Sequence, residues 1–152
     1  MSVTLNKDFQ DILLNLNSSK VDYLIVGGYA VIHYGHSRTT GDIDIWVRKS
    51  EANYTKIKAA FFRFGMSVFD MTFENFISDE MDVFSFGRSP VSIDILTEVK
   101  GLEFEEAFLN AKDGIWDSIP VKIIDYKDLV MAKKASARFK DMDDLENMKE
   151  PS

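Results

Sequence analysis

The chain has no cysteine among its 152 residues, so disulfides and thiolate metal sites are excluded. Histidine is nearly absent too: His33 and His36 are the two present, which leaves a zinc site poorly supported. No apolar run approaches the roughly 20 residues a membrane-crossing helix needs. The opening residues, Met1 to Asp8, lack the basic and apolar regions of a secretory leader. A cytoplasmic protein without membrane contact is the resulting expectation. Positive charge is in short supply as well, since 18 Lys and Arg stand against 25 Asp and Glu, a net charge of −7. Sequence-independent capture of nucleic acid relies on neutralising phosphates with Lys and Arg, so broad nucleic-acid binding is disfavoured. Template-directed polymerisation is disfavoured for a second reason, because little chain remains to grip a duplex. A local basic patch is still compatible with this balance.

What is present is ordinary in bulk. With 45% apolar and 28% charged residues, the composition is that of a globular protein. The length suits one domain, 1–152, large enough to bury a real core. The distinctive stretch is Gly27 to Val47, which follows the apolar run Tyr23-Leu24-Ile25-Val26 and ends in Asp42-Ile43-Asp44 within a second apolar run. On a strand, Asp42 and Asp44 share one face while Ile43, Ile45 and Val47 share the other. Two neighbouring carboxylates at the mouth of a buried strand repel each other unless a cation lies between them. Hard oxygen ligands of this kind suit Mg²⁺, which takes one or two carboxylates together with substrate phosphates. Upstream, Gly27 and Gly28 stand between a strand and an expected helix, where backbone amides can approach a phosphate.

Periodicity divides the rest of the chain. Leu5, Phe9, Ile12 and Leu16 form one face of a helix expected from Thr4, as N-cap, to Asn17. Val21 to Val26 reads as a buried strand and Gly28 to Tyr34 as a short helix. Ser50 caps a third helix that Gly65 stops. Met66 to Phe69 suggests a short strand and Phe73 to Ile77 a helical turn. Asp82 to Phe86 and Val91 to Leu96 form a hairpin about Gly87-Arg88-Ser89-Pro90. Asp94 stands among apolar residues of that second strand, where it either lies with Ser92 on an exposed face or serves a site. A helix follows at Phe104 to Ala111. Residues around Pro120 form a strand or pair of strands, and Asp125 caps a helix reaching about Phe139.

The whole set resembles the nucleotidyltransferase superfamily that includes the DNA polymerase β palm. It is most similar there to the small prokaryotic abortive-infection-type and minimal nucleotidyltransferases. Arg38, Thr40, Asp42 and Asp44 match their Arg-x-Thr-x-Asp-x-Asp, Asp94 their third acid on a later strand. Lys133, followed by Arg138-x-Lys140-Asp141 and by Asp144 before Leu145, matches their C-terminal pattern. The resemblance implies an α/β fold with a mixed, twisted sheet and helices mainly on one face. Residues 126–149 are then a C-terminal helical segment packed on it. It implies a metal-dependent enzyme that moves a nucleoside monophosphate from an NTP, ATP foremost, to an acceptor hydroxyl with release of pyrophosphate. Asp42, Asp44 and Asp94 are the implied catalytic and metal residues, with Mg²⁺ as the ion and Mn²⁺ as a substitute. Gly27, Gly28, Arg38, Thr40 and Lys133 are the implied nucleotide-binding residues. Lys134 and Lys140 read as solvated tail charges, and His33 as structural. The acceptor is left open among a small molecule, a protein side chain and a tRNA end. Two other classes stay in play: a nucleotide-binding module without turnover, and a toxin–antitoxin component that acts through a cognate partner protein or RNA.

Overall fold

A computed structural model of the chain describes residues 3–88 and 91–151. Helix α1, Lys7–Ser18, starts two residues later than its apolar spacing suggests. Asn6, not Thr4, is the cap, because its side chain accepts a hydrogen bond from the Phe9 amide at 2.8 Å. The Leu5 amide, ahead of that cap, donates to Asp117 instead. Strand β1 is Tyr23–Val26. Val21, expected as its start, donates its amide to the Leu16 carbonyl at 3.0 Å and so completes the end of α1. Helix α2, Gly27–His33, follows directly, then β2, Asp42–Val47. Helix α3, Glu51–Phe64, lies between the Ser50 cap and Gly65, whose φ of +90° is the left-handed C-cap expected there.

After α3 the expected strand at Met66 to Phe69 does not form. The Met66 amide donates back to the Phe61 carbonyl, and Phe69 takes a φ of +49°, which no strand accommodates. Helix α4 is Phe73–Ile77, and strands β3, Val83–Arg88, and β4, Val91–Leu96, form the hairpin pair. Ser89 and Pro90, expected in its turn, lie outside the described residues. Helix α5, Phe104–Asn110, leads to β5, Lys112–Trp116, and β6, Ile119–Ile123. The expected last helix is two helices, α6 at Tyr126–Ser136 and α7 at Phe139–Asn147. Ala137 turns the chain at a φ of +52°, and α7 starts where the Asp141 side chain accepts hydrogen bonds from the Arg138 amide and guanidinium.

The six strands form one mixed sheet in the order β3-β4-β2-β1-β6-β5. β2 runs antiparallel to β1 and parallel to β4, so the strand that carries Asp42 and Asp44 lies between them. Its inward residues Ile43 and Ile45 are fully buried and sit opposite Ile93 and Ile95 of β4. Phe61 of α3 packs its ring on Phe86 of β3 at 4.7 Å, on that same face. α1 packs beside α3, which places the two long helices together as the main apolar layer. The opposite face, carrying Asp42, Asp44 and Trp46, meets α5 through Trp46 and Phe104 and meets the α6–α7 segment at its upper end. Among the described residues, no helix is long and apolar enough to cross a membrane.

Candidate active site

The parallel pairing of β2 and β4 sets the site. Asp44 lies opposite Asp94 and Asp42 opposite Ser92, so all four side chains leave the sheet on one face. Ser92 Oγ stands 2.9 Å from Asp42 Oδ1 and 3.2 Å from Asp94 Oδ1. It has a single proton to donate, so it serves one carboxylate at a time. Burial, then the charge and hydrogen bonding of Asp94 and the charge of Asp42, push the Asp44 carboxyl up to about 7. Lys140 opposes that rise only in part. Gly27 closes the wall: at a φ of +66°, a Cβ on it would fall 1.9 Å from Asp44 Oδ2. Glycine is therefore required by both conformation and space.

Gly27, Asp42, Asp44 and Asp94 line a cleft of about 500 Å³ whose far wall is the α6–α7 segment, with Lys133, Ser136, Arg138, Lys140 and Asp141. Of the expected site residues, Gly27, Asp42, Asp44, Asp94 and Lys133 are thus brought together. Gly28, Thr40 and Arg38 are not among the residues that line the cleft. Gly28 is needed one layer behind, where a Cβ would meet Thr40 Oγ1 at 2.6 Å, and Thr40 donates to the Asp42 carbonyl at 3.2 Å. Arg38 lies against Asp144, 3.0 Å from its Nε to Oδ1. Those two atoms are close but not aligned as a hydrogen bond, so the contact is an ion pair first.

Lys133 is almost fully buried, with its Nζ 3.1 Å from Asp141 and 2.9 Å from Asp144. Burial alone would raise the Asp141 carboxyl, but hydrogen bonds from Arg138, Ser136 and Lys133 outweigh it and hold that group well below the ordinary carboxylate range. His36 joins this network at 3.2 Å from Asp143 and 3.5 Å from Asp144. His33 accepts from Trp116 Nε1 at 3.4 Å and packs on Tyr34, the structural part expected of it. Sequence reasoning missed Ser92, although its alternation with Asp94 places the two on one face; Lys140, read as a solvated tail charge, is exposed and lines the cleft.

The two acid groups differ in their fitness for a metal. Among the described residues, His36, Asp143 and Asp144 are a trio whose ligand atoms all lie within 4.8 Å of one another. Arg38 and Lys133 already neutralise Asp144, which leaves Asp143, exposed and beside His36, as the one carboxylate of that trio without a Lys or Arg partner among the described residues. Asp42, Asp44 and Asp94 are more widely spread, yet none has a Lys, Arg or His ion pair among the described residues, and Asp44 is forced toward its neutral form. Three oxygen donors with uncompensated charge in one cleft fit a hard divalent cation.

Fold and family match together identify the chain as a nucleotidyltransferase. Its sheet matches that of the antibiotic-resistance factor ANT(2'')-Ia, known from a solution structure, with a TM-score of 0.63 at 15% identity over 91% of this chain and 79% of that one. The lincosamide antibiotic adenylyltransferase LnuA, solved with lincomycin bound, aligns with a TM-score of 0.61 at 15% identity over 95% and 96% of the two chains. An antigenic nucleotidyltransferase-like protein from Paracoccidioides brasiliensis aligns with a TM-score of 0.55 at 15% identity over 92% and 72%. Residues 5–151 match the family described as nucleotidyl transferase of unknown function (DUF2204), and the chain belongs to that family. No protein of curated function matches it in sequence.

Proposed function

We propose that the chain transfers a nucleoside monophosphate from an NTP to an acceptor hydroxyl and releases pyrophosphate, with Mg²⁺ or Mn²⁺ held by Asp42, Asp44 and Asp94. The observation that carries this reading is the pairing of Asp44 with Asp94 across β2 and β4, with Asp42 beside them and no cation paired to any of the three among the described residues. Family membership supports nucleotidyl transfer in general. A bound divalent ion supplies neutralisation of the transferring phosphoryl group and activation of the attacking oxygen. The protein's own part is positioning. Gly27 brings backbone to the Asp44 carboxylate without a side chain in the way, so the phosphates can lie against the β1–α2 turn. Ser92 lies between Asp42 and Asp94 and orients whichever of the two takes its one proton. Asp94 receives the proton of the acceptor hydroxyl as its oxygen bonds to the α-phosphorus and the bond to the bridging oxygen of the leaving pyrophosphate breaks. ATP is the first donor to try. Acceptors to try are small hydroxylated molecules, protein side chains and tRNA ends.

The test is incubation of the protein with each NTP and candidate acceptors, in Mg²⁺, Mn²⁺ or EDTA, followed by mass spectrometry. The expected product is an acceptor heavier by one nucleoside monophosphate, formed only with a divalent ion. Titration calorimetry of each NTP checks the donor half without an acceptor. Equal NTP affinity in Mg²⁺ and in EDTA would overturn the metal assignment.

A further inference from the structure

We propose that Lys140, with Arg138 beside it, is the cationic group that meets the triphosphate of the donor nucleotide, and that Lys133 acts behind it as a positioning residue. This rests on the nucleotidyl-transfer reading of the cleft and assigns the charges on its far wall. A triphosphate held against three acids needs a cation that is free to leave water for phosphate. Lys133 does not meet that need. Its ammonium is committed to Asp141 and Asp144, both almost fully buried, and withdrawing it would leave two interior carboxylates short of a partner. Arg38 is committed to Asp144 and is absent from the cleft lining.

Lys140 is in the opposite position. It lines the cleft, it is exposed, and it has no ion pair among the described residues. Its charge reaches Asp44 across the cleft. Arg138 also lines the cleft and keeps 59% of its side chain exposed while its Nε donates to Asp141 at 2.8 Å. Lys100 lines the cleft as well, but beside Glu98 and Asp82, where a second cavity shares those residues. The placement of Lys140 follows from the break between α6 and α7. The left-handed Ala137 ends one helix, the Arg138 amide and guanidinium donate to Asp141 at the start of the next, and Lys133 ties α6 to Asp141 and Asp144. One continuous helix, as the sequence pattern suggests, would not hold Arg138 and Lys140 against β2 in this way.

The experiment is calorimetric titration of the full chain with MgATP, MgGTP, MgCTP and MgUTP, and with AMP, alongside Lys140→Ala, Lys140→Arg and Lys134→Ala. Each is paired with a thermal melt. Lys140→Ala should melt with the unaltered protein and bind the preferred Mg-NTP about 10- to 100-fold more weakly, the loss of one charge-assisted contact. AMP affinity should stay within about twofold, since the charge acts on the outer phosphates. Lys140→Arg should recover most of the loss, and Lys134→Ala, exposed and outside the cleft lining, should show none. Unchanged Mg-NTP affinity in Lys140→Ala, with the unaltered protein binding normally, overturns this assignment alone. An equal loss for AMP and NTP also overturns it. Absence of binding for every nucleotide by the unaltered protein overturns the transfer reading itself, and this assignment with it.

Discussion

Two groups of carboxylates meet at the cleft, one on β2 and β4 and one on α7, and they have opposite electrostatics. Asp141 and Asp144 are the more deeply buried, yet each has a cation within about 3 Å: Lys133 serves both, Arg138 serves Asp141 and Arg38 serves Asp144. Asp44 and Asp94 are half-buried and face each other with, among the described residues, no ion pair and only the Ser92 hydroxyl and the charge of Lys140 to relieve them. Depth of burial therefore does not separate the two groups. Compensation does: the compensated group ties α6 to α7, and the uncompensated one is the group proposed to hold a ligand.

The comparison breaks most visibly at Lys133. Lys133→Met removes one shared cation and leaves two interior carboxylates with a single arginine each. Breaking a buried pair in this way costs about 3–5 kcal/mol. For a domain of this size that is a fall in melting temperature of roughly 10 °C or more. Unaltered melting of Lys133→Met would mean the network is dispensable, and the contrast between the two groups would fail.

A smaller effect, of opposite sign, is expected at Asp44. Its carboxyl is raised from 3.8 to about 7, so the folded protein binds a proton that the unfolded chain releases. That contribution is full below about pH 4 and is lost as pH rises to about 7. Asp44→Asn removes the titration. In EDTA it should match the unaltered protein below about pH 4 and be the more stable of the two at pH 8, by about 1–3 kcal/mol. Added Mg²⁺ should stabilise it less than it stabilises the unaltered chain. The Asp141 group runs the other way: its depressed carboxyl contributes above the ordinary carboxylate range and is lost as pH falls below about 4. Melts from pH 3 to pH 8 therefore separate the two groups in one series. A lower melting temperature for Asp44→Asn at pH 8 in EDTA would mean that Asp44 is satisfied internally.

The smallest effect is expected at Ser92. Ser92→Ala removes one hydroxyl between Asp42 and Asp94 and should cost about 0.5–1.5 kcal/mol. Its sharper readout is Mg²⁺ affinity, measured by calorimetry, which should fall severalfold if Asp42 and Asp94 are the ligands proposed, because the hydroxyl that orients one or the other is gone. A Mg²⁺ affinity identical to that of the unaltered protein would leave Ser92 as packing on the strand face.

Much of the fold is legible in the residues, at unequal depth. The alternation around Asp42-Ile43-Asp44 puts both acids on one strand face by spacing alone, and Ser50 and Gly65 bound α3 as their cap chemistry demands. The end of α6 is not legible. Residues 126–139 contain no glycine or proline to break a helix, and the break rests on Ala137 in a left-handed conformation that Asp141 supports from beyond it. The start of α1 escapes local pattern for a related reason: Thr4 and Asn6 are both good caps, and the link between Leu5 and Asp117, far apart in sequence, goes with the second.

Residue type and short-range spacing are enough to establish the acidic pair on a buried strand, the glycines that precede it and the absence of cysteine chemistry. Which charges are spent is settled by tertiary contacts alone. Lys133 and Lys140 are both lysines of one C-terminal segment, and no local pattern tells them apart. One meets Asp141 and Asp144 in the interior, while the other stands exposed at the cleft before Asp44. Ion pairing depends on which groups the fold brings within a few ångströms and how much water it leaves between them, and spacing along the chain carries neither quantity.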